Sequence, residues 1–192
     1  MSALPALGTE IPRRESRFLR VLGRAGLRLL GWHIEGEVPN LPKFVIAVAP
    51  HTSNWDFVVG IAAMFALDLR LSFIGKHTLF VGPFAPVMRW LGGIPVDRSS
   101  PHGVVADSAR AFETVERRIL AIAPQGTRSP VRHFKSGFLH IARSANVPVV
   151  LATLDYGARV VRFGPTETPG EDVEADRERI EAFFSKVKGR NR

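Results

Sequence analysis

Phe44-Val45-Ile46-Ala47-Val48-Ala49-Pro50-His51-Thr52-Ser53-Asn54-Trp55-Asp56 is the stretch that decides the fold of this chain. Phe44 to Ala49 is apolar without a break and carries two valines and an isoleucine. That pattern predicts a strand buried on both faces, since a half-solvated strand would alternate. Pro50 stops it. Asp56 to Leu69 then reads as a largely buried helix, and Leu71 to Ile74 as a short strand with a Gly75-Lys76 exit. Strand, helix and strand in this order predict a βαβ unit.

The same rhythm continues downstream. Phe84 to Leu91 predicts a short helix and Ile94 to Val96 a short strand. Gly103 to Arg118 predicts a longer helix with Ala106, Ala109, Ala111 and Phe112 available for packing. Ile119 to Ala123 is the next buried strand, ended by Pro124, and a polar, basic loop runs from Gln125 to Ser136. Residues 137–145 suit a helix, while Val147 to Thr153 and Val160 to Phe163 suit strands. Val173 to Val187 closes the chain as a helix with Ile180, Phe183 and Phe184 inward. The expected fold class is α/β, a mostly parallel central sheet flanked by helices. No internal repeat is visible.

Upstream, Pro5, Gly8 and Pro12 mark a loose lead-in. From Arg13 to Trp32 the pattern is helical: at about 100° per residue, Arg13, Arg17, Arg20, Arg24 and Arg28 share one face. Phe18, Leu22, Ala25, Leu29 and Trp32 share another. Such a basic amphipathic helix can pack its apolar face on the domain, or lay that face into a headgroup layer with its arginines on anionic lipid. Both can hold at once. The chain thus divides into residues 1–32, a lead-in and surface helix, and residues 33–192, the main domain.

Composition narrows the function classes. At 192 residues with 45% hydrophobic content, the chain is long and apolar enough for a single buried core. Twenty-six Lys and Arg against 18 Asp and Glu give a net charge of +8, which suits a polyanion or an anionic bilayer. Nucleic acid is disfavoured as a partner, because interleaved basic and aromatic loops for base stacking are missing. Without cysteine there is no thiolate nucleophile, disulfide framework or Cys-based metal site. The longest charge-free apolar run, Phe57 to Leu67, is shorter than the roughly 18 to 20 residues that span hydrocarbon. Arg13, Arg14, Glu15, Arg17 and Arg20 interrupt any secretory signal. The expected location is cytoplasmic.

Chemistry is expected where the first long strand ends, because loops leaving strand ends in open α/β sheets gather polar groups. His51 and Asp56 stand in such a loop. Five residues apart on a straight helix they would point about 140° away from each other, so their meeting requires a turn. Ser53 or Asn54 can supply it and cap the following helix. Asp56 would then fix the imidazole tautomer and support positive charge as the other ring nitrogen takes a proton. His102 and Asp107 have the same spacing but lie within a predicted helix, where continuous winding separates them.

Two further elements offer anion binding. Gly92-Gly93-Ile94-Pro95-Val96-Asp97-Arg98 places a guanidinium beyond a short strand, either to clamp a phosphate or to form an ion pair with Asp97 or Asp107. Pro124-Gln125-Gly126-Thr127-Arg128-Ser129 offers amides, two hydroxyls and a guanidinium at a strand end, although the same residues make ordinary turns.

Taken in order, the blocks around His51-Thr-Ser-Asn-Trp-Asp56, Gly93-Ile-Pro-Val-Asp-Arg98, Pro124-Gln-Gly-Thr-Arg-Ser129 and Val147-Pro-Val-Val150 closely resemble the four blocks of glycerolipid acyltransferases, in particular 1-acylglycerol-3-phosphate acyltransferases. The resemblance covers residues 40–155. It implies an acyl-CoA or acyl-carrier-protein donor, a lysophosphatidic-acid-like acceptor giving phosphatidic acid, no metal or bound cofactor, and membrane attachment, here peripheral on the inner face. It also implies that His51 is the general base and Asp56 its orienter, with Arg98, Gly126, Thr127 and Arg128 at the acceptor phosphate and Val147 and Pro148 shaping the site. Gln125 stands where the family usually has Glu. Gln keeps length and hydrogen bonding but carries no negative charge, so a weakly active or silent lipid-binding member of the fold is the alternative expectation.

Overall fold

The computed structural model describes residues 4–96, 101–127, 129 and 131–191. Its elements in chain order are helix α1 (Arg17–Leu30), strands β1 (His33–Gly36) and β2 (Lys43–Ala49), α2 (Asn54–Ala66), β3 (Ser72–Lys76), a 3-10 turn (His77–Phe80) and α3 (Ala85–Trp90). They continue with β4 (Gly93–Val96), α4 (Pro101–Glu113), β5 (Arg118–Ile122), α5 (Gly137–Ser144), β6 (Val149–Asp155), β7 (Val160–Glu167) and α6 (Val173–Phe184). The strands form one sheet in the order β1-β7-β6-β2-β5-β3-β4. Only the β6–β7 pair is antiparallel.

β2 lies in the middle of the sheet, which explains its apolar composition: Phe44, Val45, Ile46 and Ala47 are all buried. Alternate residues feed two cores. Phe44 and Ile46 join a cluster with Ile11, Leu27, Val59, Met64 and Leu69 on the face covered by α1 and α2. Val45, Ala47 and Ala49 join Phe112, Phe138, Ile141 and Ile180 on the face covered by α4, α5 and α6. Burying both faces of a parallel sheet this way is the usual solution for βαβ chains.

Several boundaries differ from expectation. α4 ends at Glu113 rather than Arg118, because Arg118 already pairs with Lys43 as the first residue of β5. Ala106 is exposed, whereas Ala109 and Phe112 are buried. Strand β1 was not expected; its four residues His33-Ile-Glu-Gly contain too short an apolar signal, and pairing with β7 at the sheet edge supplies what the sequence does not advertise.

The largest correction concerns α1. It starts at Arg17, capped by Ser16, whose hydroxyl accepts from the Leu19 amide, and ends at Gly31 with φ +71°. Arg13 lies outside it, bridged to Leu69. The helix does not pack through Phe18, Leu22 and Leu29. It packs through Gly23 and Leu27, both buried, with a Cβ at Gly23 meeting the Ala66 nitrogen at 2.4 Å and the Ala62 oxygen at 2.6 Å. Only hydrogen fits at that crossing, so α1 lies almost backbone to backbone on α2. Phe18 and Leu29 are consequently 74% and 88% exposed, while Trp32, just past the helix end, is buried. Among the described residues no helix is long and apolar enough to cross a membrane.

Candidate active site

Because β2, β3, β4, β5 and β6 run parallel, their C-terminal ends all open at one edge of the sheet. That edge gathers His51 after β2, Lys76 at the end of β3, Gln125 after β5 and Tyr156 after β6. Residues far apart in the chain are thereby brought together by topology alone.

The chain leaves β2 through a cis Ala49–Pro50 bond and turns before α2 begins. Ser53 is the N-cap, and a reciprocal capping box joins it to Asp56 three residues on. Asp56 is 3% exposed. Its Oδ2 accepts from the amides of Thr52 at 2.6 Å and Ser53 at 2.7 Å, and lies 3.2 Å from His51 Nδ1. The remaining oxygen, Oδ1, accepts from the Tyr156 hydroxyl at 2.6 Å. Burial by itself pushes the Asp56 carboxyl up, but the hydrogen bonds from His51, Tyr156, Ser53 and Thr52 outweigh it and hold the group below the usual carboxylate range. An anion held by these donors faces the imidazole.

Tyr156, the only tyrosine in the chain, was not anticipated from sequence. Burial first, and then the hydrogen bond and negative charge of Asp56, push its phenol well above the ordinary value, so its proton stays in place as a donor. Its ring stands edge-on to Trp32 with centroids 4.8 Å apart. The C-terminal segment closes the outside of the loop. The Tyr156 amide donates to Lys188 O at 2.9 Å, the Arg190 amide to Thr52 Oγ1 at 3.1 Å and Asn191 Nδ2 to Thr52 O at 3.0 Å. The Arg190 guanidinium lies 5.1 Å from the centre of the Trp55 ring.

Gln125, also buried, accepts a hydrogen bond from the backbone amide of His51 through Oε1. The loop therefore uses the acceptor that Gln and Glu have in common, not the charge that distinguishes them. Gly126 has φ +66°, and the Lys135 side chain lies against it, 3.1 Å from where a Cβ would stand. Thr127 is exposed, with its hydroxyl accepting from the Ser129 amide at 3.3 Å. Arg98 and Arg128 lie outside the described residues, as does Asp97. Asp107 pairs with Arg110 at 2.7 Å, and the helix runs unbroken through His102 and Asp107.

His51, whose side chain is 25% exposed, lines a cavity of about 1370 Å³. One wall is the α2 face formed by Phe57, Gly60, Ile61 and Met64; Lys76, Thr127 and Lys135 supply polar positions. Among the described residues no cluster of three His, Cys, Asp or Glu is arranged to hold a metal ion. The arrangement offers an imidazole with no hydrogen-bond partner at Nε2 among the described residues, a buried carboxylate facing its other nitrogen, and an apolar space beside it.

The acyltransferase family model matches residues 33–154, from β1 to the end of β6. The chain belongs to the acyltransferase family. It is 29% identical over 132 residues to the 1-acyl-sn-glycerol-3-phosphate acyltransferase of Haemophilus influenzae, covering 64% of this chain and 53% of that protein. A probable 1-acyl-sn-glycerol-3-phosphate acyltransferase of Mycoplasma pneumoniae is 30% identical over 122 residues, covering 60% and 46% of the two chains. The Streptococcus pneumoniae enzyme of the same name is 29% identical over 134 residues, covering 65% and 50%. The chain thus spans about half the length of these curated relatives. The crystal structure of the 1-acyl-sn-glycerophosphate (LPA) acyltransferase PlsC of Thermotoga maritima superposes with a TM-score of 0.62 at 20% identity, covering 88% of this chain and 76% of that one. Its fold is shared.

Proposed function

We propose that this protein transfers a fatty acyl group from a thioester, acyl-CoA or acyl-carrier protein, to the free hydroxyl of a lysophospholipid, with 1-acylglycerol-3-phosphate as acceptor and phosphatidic acid as product. The observation that carries the reading is the contact of His51 with the ionised, buried Asp56 beside a largely apolar cavity. Nε2 of His51 takes the acceptor hydroxyl proton while Asp56 stabilises the imidazolium. The acceptor oxygen bonds to the thioester carbonyl carbon, and backbone amides stabilise the oxyanion. Collapse breaks the carbon–sulfur bond, and the leaving thiolate recovers the proton from His51. No cofactor takes part. The acyl chain occupies the cavity, and the acceptor phosphate is assigned to Arg98, Gln125, Gly126, Thr127 and Arg128 on the family resemblance alone.

The exposed residues Phe18, Leu22 and Leu29 on α1, with Arg17, Arg20 and Arg24 on the same helix, support peripheral attachment to the inner, anionic face of a membrane. Phe18→Ser with Leu29→Ser, both exposed positions, should weaken sedimentation with anionic vesicles, and salt should screen the attraction.

Purified protein given an acyl thioester and 1-acylglycerol-3-phosphate should release free thiol, and His51→Ala should abolish that release without unfolding the protein. Equal rates from the two proteins would end the proposal. Gln125 favours one competing reading, a lipid-binding member without turnover. Its hydrogen bond to the His51 amide argues for retained activity, because an amide oxygen fills that position. Thiol release by the natural protein within about tenfold of Gln125→Glu supports the enzyme; release that arises only in Gln125→Glu supports the silent form.

A further inference from the structure

The exposed apolar surface of α1 has a counterpart on a separate part of the chain. Between the end of β3 and the start of β4, Val81, Phe84, Val87 and Trp90 are 64%, 74%, 51% and 57% exposed. Phe80, Ala85 and Leu91 are buried and hold this segment on the domain, so the exposed side chains stand on an anchored platform. A run of large apolar side chains exposed this way on one short segment marks a contact surface.

Charge identifies what it contacts. From Leu69 to Val96 the sequence contains no Asp or Glu, while Arg70, Lys76 and Arg89 are exposed. Ser16 to Ile34 is equally free of acid. Within each of these two stretches the exposed apolar side chains are therefore accompanied by cationic side chains and by no acidic ones.

The two exposed surfaces meet at the C-terminal end of α2. Phe65 of α2 packs edge-on against Trp90 with centroids 6.0 Å apart, and Gly23 of α1 lies against the Phe65 and Ala66 backbone region from its own side. Arg14, just before α1, donates to Leu91 O at 2.7 Å, and its guanidinium lies 5.5 Å from the Trp90 ring centre. Leu79 and Met88 of the same segment line the cavity that also reaches His51.

We infer that the segment from Leu79 to Trp90 is a second membrane-inserting surface, which together with α1 seats the protein on an anionic bilayer at two points. The inference rests on the proposed attachment through α1 and adds an orientation to it. With Phe84, Val87 and Trp90 in the headgroup and upper acyl region, the cavity wall formed by Leu79 and Met88 faces the lipid. An acyl chain then passes between bilayer and cavity without crossing water.

Trp90 supplies its own test. In the Trp55→Phe background, where Trp32 is the other indole and is buried, tryptophan fluorescence is recorded on phosphatidylglycerol-rich vesicles whose acyl chains carry bromine. Trp90 should be quenched and blue-shifted, and adding Trp90→Phe should remove the quenchable signal. Phe84→Ser with Val87→Ser, checked for native circular dichroism, should weaken vesicle binding at least tenfold with α1 intact. Vesicle-bound protein with an unquenched Trp90, or with unchanged affinity in the double serine variant, overturns this inference and leaves attachment through α1 standing. Failure of the natural protein to bind the vesicles overturns both.

Discussion

Gly60 offers the sharpest test of where an acyl chain would lie. It stands on α2 with Phe57, Ile61 and Met64, on the side that lines the cavity, and a Cβ built there has nothing within 4 Å. The first carbon of a leucine side chain at this position therefore displaces no neighbour. Helix propensity favours the change by about 0.8 kcal/mol, so Gly60→Leu should fold and melt no lower than the natural protein. In the cavity the new side chain displaces about two methylenes of a chain that otherwise fills it, at about 0.8 kcal/mol each. The loss of about 1.6 kcal/mol corresponds to about fifteenfold in kcat/KM for the longest chain accepted. Shorter chains, which do not reach Gly60, should react unchanged. Thiol release is to be measured across a ladder of saturated acyl thioesters, with the optimum expected to move to shorter chains. An unaltered length profile would mean that the acyl group lies elsewhere, and a uniform loss at all lengths would mean that the leucine damages the chemistry instead.

Two predictions concern the carboxylate. Asp56 is held below its ordinary pKa in the folded protein, so its stabilising contribution is fully present above about pH 4, the unfolded value, and is lost as pH falls through the lower folded value. Urea melts of the natural protein should lose stability over this acid window, whereas Asp56→Asn should be weaker at neutral pH and flatter below; parallel curves for the two proteins would contradict the assignment. Tyr156→Phe removes the hydroxyl that donates to Asp56 Oδ1 and so takes a hydrogen bond from a buried carboxylate, costing about 1.5–3 kcal/mol. If the phenol positions the proposed dyad, kcat should drop at least tenfold while KM for the acceptor stays nearly constant, and a variant that lost stability but kept kcat would reduce Tyr156 to a structural role.

How much of this was legible from sequence depends on the range of the interaction. The unbroken run Phe44 to Ala49 announced a central strand, because burial on both faces leaves no polar position in it. The turn between His51 and Asp56 was legible locally as well: Ser53 or Asn54 was expected to cap the following helix, and Ser53 does so, with the helix starting at Asn54 rather than Asp56. The face of α1 was not. Amphipathic reading assigned contact to Phe18, Leu22 and Leu29, yet these are left outside and the close contact with α2 is made at Gly23, with Leu27 buried and Leu19 and Leu30 partly buried beside it. Tyr156 lies one hundred positions from Asp56, and nothing local to it signals a partner. Its neighbour is chosen by β2 and β6 running side by side with Ala49 opposite Thr153.

The carboxylate of Asp56 also ties the site to the packing of the helix that carries it. Asp56 closes the capping box of α2 and faces His51 with the same oxygen that accepts from Thr52 and Ser53. The start of the helix and the orientation of the imidazole are therefore fixed by one group, and α2 cannot rotate without turning the carboxylate. α2 in turn is held on its far side by α1, through a crossing so close that a methyl group at Gly23 would strike backbone atoms. α1, which carries the surface proposed to meet lipid, thus touches the last turn of the same helix whose first turn holds the carboxylate.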